Sequence, residues 1–493
     1  MPVSSLAAPV RAATLSHRGK RWLYIVHRWI GIVTCLLFAA WFASGLVMIY
    51  VPFPSLTPAE RLAGLPPIDW SQVRVQPAAA LGPVEPAKAM VLEMRGSLPV
   101  WRIDPWNGAQ RVVSARDGRP LASAGAHEAR QVAAAFGRAP VIALEQVWRD
   151  QWTVAGGFDA HRPLWKASLS GDGGRVLYVS SRTGAVVLDT ARRERFWNWL
   201  GSVPHWIYPT VLRQDNAAWR QVVMWVSGPC IVGAVTGLWI GVLRLRLGRH
   251  RFPGGRVTPY SGWMNWHHVT GLSGGILLTA WMFSGWLSVD PFRLFASGGV
   301  GQEARIAYAG AGVPPAIDWA VLAAQAGSAK RVEFAWFAGR PLLLVQRVEA
   351  GPLVLDAATL APARLDPRDL IKAAARLLPG VAVAGADRLT APDYYWYEVG
   401  EPVALPVLRI RFADAAGTWV HVDPATSRLL GGIDRRRRVY RTAFDLLHKW
   451  DVTPLILHRP AWDAVLWLFS LLGLATSVTG IVIAWRRLGR MRR

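Results

Sequence analysis

Four histidines recur in register along this chain of 493 residues. His27 stands near the mouth of a long apolar run, 22–50, followed by Gly31 and by Ser44-Gly45. The same order returns as His267, Gly271 and Ser284-Gly285, each 240 residues later, with Ala40-Trp41 and Ala280-Trp281 at that offset too. His205 and His448 form a second matched pair, 243 residues apart, each ahead of another apolar run. Ionisable side chains at membrane depth are costly and need partners. Two neutral imidazoles on opposite faces of a flat macrocycle give six-coordinate haem iron, which suits electron transfer with little rearrangement. A pair at each end implies two b-type haems, which is what moving electrons across an insulating layer of about 30 Å requires. A lone histidine at a helix mouth often does no more than bond a carbonyl. Headgroup histidines have no need to repeat in register, so the matched pairs favour shared ligation. His268 adjoins His267, and His458 follows His448; either is an alternative ligand. His17, His127, His161, His250 and His421 lack a repeat partner and read as solvated. No catalytic side chain stands out, and neither a phosphate loop, a zinc motif nor a nucleophile elbow is visible.

The elements that must position these histidines are membrane helices. Hydrophobic residues make up 52% of the chain, and it holds 27 Trp, a residue that favours the membrane–water interface. Four apolar runs divide it into a basic tail (1–21), spans at 22–51, 219–244, 266–290 and 463–486, and a second basic tail (487–493). Between the spans lie a short loop (245–265) and two large segments (52–218 and 291–462). The first run is too long for a signal-peptide core, so it reads as an uncleaved anchor. Arg18, Lys20 and Arg21 precede the first span. Arg244, Arg246, Arg249, Arg251 and Arg256 follow the second, and Arg486, Arg487, Arg490, Arg492 and Arg493 follow the fourth. By the positive-inside rule both termini and the short loop are cytoplasmic, and the large segments face outward. The net charge of +24 is thereby a membrane feature; no nucleic-acid recognition motif accompanies it. Cys35 and Cys230 lie within apolar runs and form neither a disulfide framework nor a metal motif.

The outer segments alternate apolar and polar residues at 100–103, 111–114 and 175–180, as half-buried strands do, with helical patterns at 128–136 and 369–378. Both read as α+β. Pro-rich 51–58 and Gly-rich 296–312 read as linkers. Asp150, Pro163, Gly174, Val179 and Thr183 return 243 residues later as Asp393, Pro406, Gly417, Val422 and Thr426. The register continues through Arg192-Arg193 to Trp219 and Thr236-Gly237, and through Arg435-Arg436 to Trp462 and Thr479-Gly480. The chain is two copies of one unit, related by an axis along the membrane normal. Asp150 and Asp393 read as turn caps. The basic run 435–438 is a solvated stretch or an attractor of anionic iron chelates.

At WVHVDPATSRLL followed by RRRRVYRTAFDLLHKW, and at HRWIG inside an apolar helix ending in Ser-Gly, the chain resembles the PepSY-associated transmembrane family. The first copy departs from that pattern, with YVSSRTGAVV and PHWIYP at the corresponding places. The resemblance implies a multi-pass protein of the bacterial inner membrane that reduces ferric siderophores. The expected fold is an α-helical membrane protein, a four-span bundle from two parallel repeats, with two periplasmic α+β PepSY-like domains. The expected function is a di-haem reductase using His27 with His267 and His205 with His448. It would draw electrons from a quinol or a cytoplasmic reductase and release ferrous iron from a ferric siderophore in the periplasm. The alternative is a haem-free PepSY-type scaffold that binds or restrains a periplasmic partner. An absorption spectrum separates the two.

Overall fold

A computed structural model describes residues 17–82, 87–171, 173–310, 312–398 and 403–491. Residues 1–16 of the expected N-terminal tail, and Arg492 and Arg493 of the C-terminal one, lie outside the described residues. Four long helices pack together: α1 (His17–Met48), α2 (Asn216–Leu243), α3 (Gly262–Leu287) and α4 (Ala461–Met491). α1 already begins at His17, so the last residues of the expected basic tail (1–21) belong to the helix. Phe38, Phe42, Cys230, Trp281, Met282, Trp462 and Leu466 interlock at the heart of the bundle. Both cysteines are free and buried.

The expected fold class does not hold. The chain is a mixed α/β protein with three antiparallel sheets, and three described helices, not four, are long and apolar enough to cross a membrane. These are α1, α2 and α4. α3 packs against α2 and α4 but falls outside that set. Asn265, His267, His268, Thr270, Ser273, Thr279 and Ser284, together with its glycines, dilute the apolar surface that would favour transfer into lipid.

The large segments supply fourteen strands among the described residues. From the first come β1 (Ala87–Arg95), β2 (Leu98–Pro105), β3 (Arg111–Ser114), β4 (Val141–Val147), β5 (Leu164–Leu169), β6 (Val176–Ser180) and β7 (Val186–Thr190). From the second come β8 (Arg331–Phe337), β9 (Arg340–Gln346), β10 (Leu353–Asp356), β11 (Val383–Leu389), β12 (Val407–Phe412), β13 (Trp419–Val422) and β14 (Leu429–Ile433). One sheet runs β4-β5-β6-β7, covered by the helix Ala126–Gly137 through Ala129, Val132 and Phe136. Its counterpart runs β11-β12-β13-β14, covered by the helix Pro367–Ala374 through Leu370, Ala373 and Ala374.

The third sheet belongs to both copies, in the order β10-β9-β8-β1-β2-β3. β1 and β8 join antiparallel, Met90 opposite Phe334 and Leu92 opposite Val332. Each three-stranded half would otherwise leave an unpaired edge, and pairing the two edges satisfies both backbones. The outer segments are therefore joined by a continuous sheet. The Gly-rich stretch 296–312, expected as a linker, contains the helix Gln302–Ala309, whose Tyr308 is buried in the core beneath β12 and β13.

Candidate functional site: two histidine pairs

His27 projects from α1 and His267 from α3, and their ring centres are 6.4 Å apart. Each ring is held from behind by the second long helix of its own copy. His27 Nδ1 donates to the Gly233 carbonyl of α2 at 3.0 Å. His267 Nδ1 donates to the Thr476 carbonyl of α4 at 3.1 Å and lies 3.1 Å from the Thr479 hydroxyl. Gly233 and Thr476 are themselves 243 residues apart, so the clamp repeats along with the histidine.

The other pair forms at the sheet end of the bundle. His205 ends the short helix Ser202–His205, His448 lies in Leu447–Lys449, and their ring centres are 6.1 Å apart. His205 Nδ1 donates to the Trp41 carbonyl at 3.1 Å and meets the Ser44 hydroxyl at the same distance. His448 Nδ1 meets the Ser284 hydroxyl at 3.1 Å. Each serine in turn donates to the carbonyl three residues earlier, Trp41 or Trp281, at 3.1 Å. The serines of the repeated Ser-Gly steps thus orient imidazoles. Burial pushes the pKa of His205 down to about 4 and that of His448 to about 3, so both rings are neutral.

Four Nδ1–H groups committed to backbone or hydroxyl oxygens fix four tautomers. No described residue hydrogen-bonds any of the four Nε2 atoms. An outer-shell acceptor on one ring nitrogen, with the other nitrogen free, is the arrangement of metal-ligating histidine. Nitrogens about 2 Å from a shared metal, each about 1 Å from its ring centre, would space two rings by about 6 Å. Both pairs have that spacing. Between the helices at the inner pair lies a cavity of about 690 Å³, within the usual range for a small-molecule or cofactor site. Gly31 and Gly271, one helical turn beyond His27 and His267, border it, and a methyl at Gly31 would meet no atom within 4 Å. Arg28, Arg486, Arg487 and Arg490 stand around the same cavity, where carboxylates of a macrocycle could pair with them. The residues present fit a haem. No cluster of three or more His, Cys, Asp or Glu suited to a metal ion occurs among the described residues.

The alternative ligands are placed differently. His268 is buried, with Nε2 bonded to the Gly241 carbonyl at 2.9 Å and its ring against Tyr260. His458 is exposed, with Nδ1 bonded to the Pro454 carbonyl at 2.6 Å. Neither faces a second histidine in the manner of the two pairs. His17, His127 and His250 are exposed as expected, and His161 is half-buried. His421 overturns its expected solvation: it is 2% exposed, stacks on Trp396 at 4.3 Å and accepts from Arg409 at 2.9 Å. Asp150 and Asp393 act as turn caps, each accepting from backbone N–H groups two and three residues on.

A buried ion pair escaped the sequence reading. Arg441 donates to Asp451 at 2.7 Å, to the Asp451 carbonyl at 3.0 Å and to the Tyr394 carbonyl at 3.0 Å, while the Tyr397 hydroxyl donates to Asp451. This network brackets His448. The first copy brackets His205 with an amide instead: Asn198 donates to the Pro52 carbonyl at 2.9 Å and accepts from Ser202 at 2.6 Å. The exchange of amide for ion pair within a repeat hides the equivalence from sequence comparison. The chain matches no protein-family model and no curated protein.

Proposed function

We propose that the chain is a two-haem electron carrier of the bacterial inner membrane and works as a ferric-siderophore reductase. In this reading the arginine-flanked helix ends are cytoplasmic and the sheets lie in the periplasm. The observation that carries it is the duplicated histidine pair, with ring centres 6.4 and 6.1 Å apart and every Nδ1 committed elsewhere. His27 and His267 would hold one haem b, and His205 and His448 the other. A haem held by these imidazoles would supply reversible one-electron transfer.

The chain's own residues provide the conditions for that chemistry. Carbonyls and hydroxyls behind the imidazoles hold Nδ1 and so keep the Nε2 lone pairs free. Burial of the outer pair disfavours protonation, which would remove the ligand. Seventeen residues of α1 separate His27 from the Ser44 that orients His205, about 25 Å of helix, so the pairs stand near opposite faces of the layer. The donor would be a quinol or a cytoplasmic reductase meeting the arginine end. The acceptor, a ferric siderophore, follows from the resemblance to the PepSY-associated membrane family. One electron per ferric ion lowers the metal's charge and loosens its hold on hard oxygen donors.

The purified protein should show a Soret band and a reduced α-band, with two haems per chain. His27→Ala and His267→Ala should deplete one haem, and His205→Ala and His448→Ala the other. Haem-free protein from haem-replete cells would overturn the reading.

A further inference from the structure

The basic run 435–438 is not used by the histidine pairs themselves. Arg435, Arg436 and Arg437 are exposed and Arg438 is half-buried. None of the four makes an ion pair with a described carboxylate. The nearest acid in sequence, Asp434, is occupied as a helix cap, accepting from the Arg437 backbone N–H at 2.8 Å. Arg437 lies over Tyr440 at 4.3 Å, and Arg438 over Trp419 at 4.1 Å. This is a cationic surface whose guanidinium groups cover aromatic rings, the buried Tyr440 among them.

The surface is connected to the outer histidine pair. Tyr440, Phe444 and His448 follow one another at intervals of four residues along one chain segment. The Tyr440 and Phe444 rings are 5.2 Å apart, and Phe444 stacks on His448 at 5.3 Å and 25°. The helix is π-wound across Arg441–Leu446, a rare form concentrated at functional sites.

The repeat supplies an internal control on what the fold itself demands. At the equivalent positions, 243 residues earlier, the first copy has Arg192, Arg193, Glu194 and Arg195. Trp197 stands at the place of Tyr440, and Gly201 at the place of Phe444. The first copy builds an ordinary α-helix there, Arg192–Leu200, and still delivers His205 to its pair. Delivering a histidine therefore needs neither four consecutive arginines nor the Tyr-Phe ladder. Those features belong to the second copy alone, and they lie on one side of the outer pair.

We infer that this face, centred on Arg435, Arg436 and Arg437, is the docking site for an anionic ferric chelate beside the outer histidine pair. The inference rests on the proposed reductase reading and gives it a substrate charge. A ferric ion held by three catecholate groups carries net negative charge and presents flat aromatic rings. Exposed guanidinium groups recognise that combination through charge and by stacking on the rings. A cationic or neutral hydroxamate chelate lacks the charge.

The test uses gallium(III) tris-catecholate, which has the shape and charge of the ferric complex and cannot be reduced, so binding is read without electron transfer. Full-length protein in nanodiscs of neutral phosphatidylcholine should bind it, more weakly as salt rises. Arg435→Gln with Arg437→Gln should weaken binding about tenfold, the scale of two surface ion pairs, and flatten the salt dependence. Haem content and spectrum should not change. Arg435→Lys with Arg437→Lys should recover part of the affinity. Arg192→Gln with Arg193→Gln, which removes equal charge from the first copy, should leave binding intact. No binding by the wild type, or equal binding by the glutamine variant, would overturn the inference. So would displacement of the gallium chelate by vesicles containing phosphatidylglycerol, because the arginines would then be lipid-headgroup contacts. Any of those results in a protein that still carries two haems leaves the electron-carrier reading standing; loss of the haems in the wild type sinks that reading instead.

Discussion

Gly237 and Gly480 occupy the same place in the two copies, yet alanine should act differently at each. A Cβ added at Gly237 would lie 2.5 Å from His27 Cε1, 3.1 Å from Nδ1 and 3.4 Å from Nε2. At Gly480 the nearest atoms would be His267 Cε1 at 3.4 Å and Cys35 Cβ at 3.7 Å. Carbon atoms pack best at about 3.5–4.0 Å, so the His27 ring must retreat by about 1 Å while His267 stays in place. Retreat works against the bond from Nδ1 to the Gly233 carbonyl and against a ring spacing of 6.4 Å. Overpacking of this kind costs about 1–3 kcal/mol, or roughly 5- to 150-fold in affinity at the inner pair. Haem-to-protein ratios from pyridine haemochromogen spectra measure it directly. Gly237→Ala should lose or shift the inner haem and keep the outer one, and Gly480→Ala should keep both. Equal behaviour of the two variants would refute the argument that a fixed helix wall holds His27.

Two further outcomes follow from buried charge. Arg441→Ala strands the Asp451 carboxyl, which is fully buried and already raised in pKa by that burial, and should cost about 3–5 kcal/mol. Thermal unfolding of Arg441→Ala beside the Arg441→Ala, Asp451→Ala double variant checks this, because the double variant should be the more stable of the two. Burial, and then the Arg409 guanidinium, push the pKa of His421 down to about 4. Between about pH 6.5 and 4 the unfolded chain therefore takes up a proton that the folded chain refuses, and stability falls as pH drops through that window. Urea unfolding at pH 7.5, 5.5 and 4.5 should show this slope, and His421→Gln should reduce it.

The histidine pairing was legible because duplication preserves position. A residue copied at a constant offset into a second helix keeps its depth and face, so His27 with His267 and His205 with His448 could be matched without coordinates. Apolar length marked the bundle helices, and period-two alternation marked many strands, because those patterns depend on local geometry alone. The choice between His267 and His268 was beyond such reasoning. Neighbouring residues on a helix point about 100° apart, and only the packing of α2 and α4 turns His268 toward Gly241 and His267 toward Thr476. The sheet shared by the two copies was also hidden, since alternation identifies a strand's faces and not the partner of its edge. β1 and β8 meet because two open edges in one molecule gain by closing on each other. α3 shows the converse limit. Its sequence aligns with that of α1, but its polar side chains leave it outside the set of helices apolar enough to cross a membrane. The repeat thus determined which side chains correspond, while the tertiary packing decided which nitrogens are tied down, which are free and which edges pair, because each of those depends on groups hundreds of residues away.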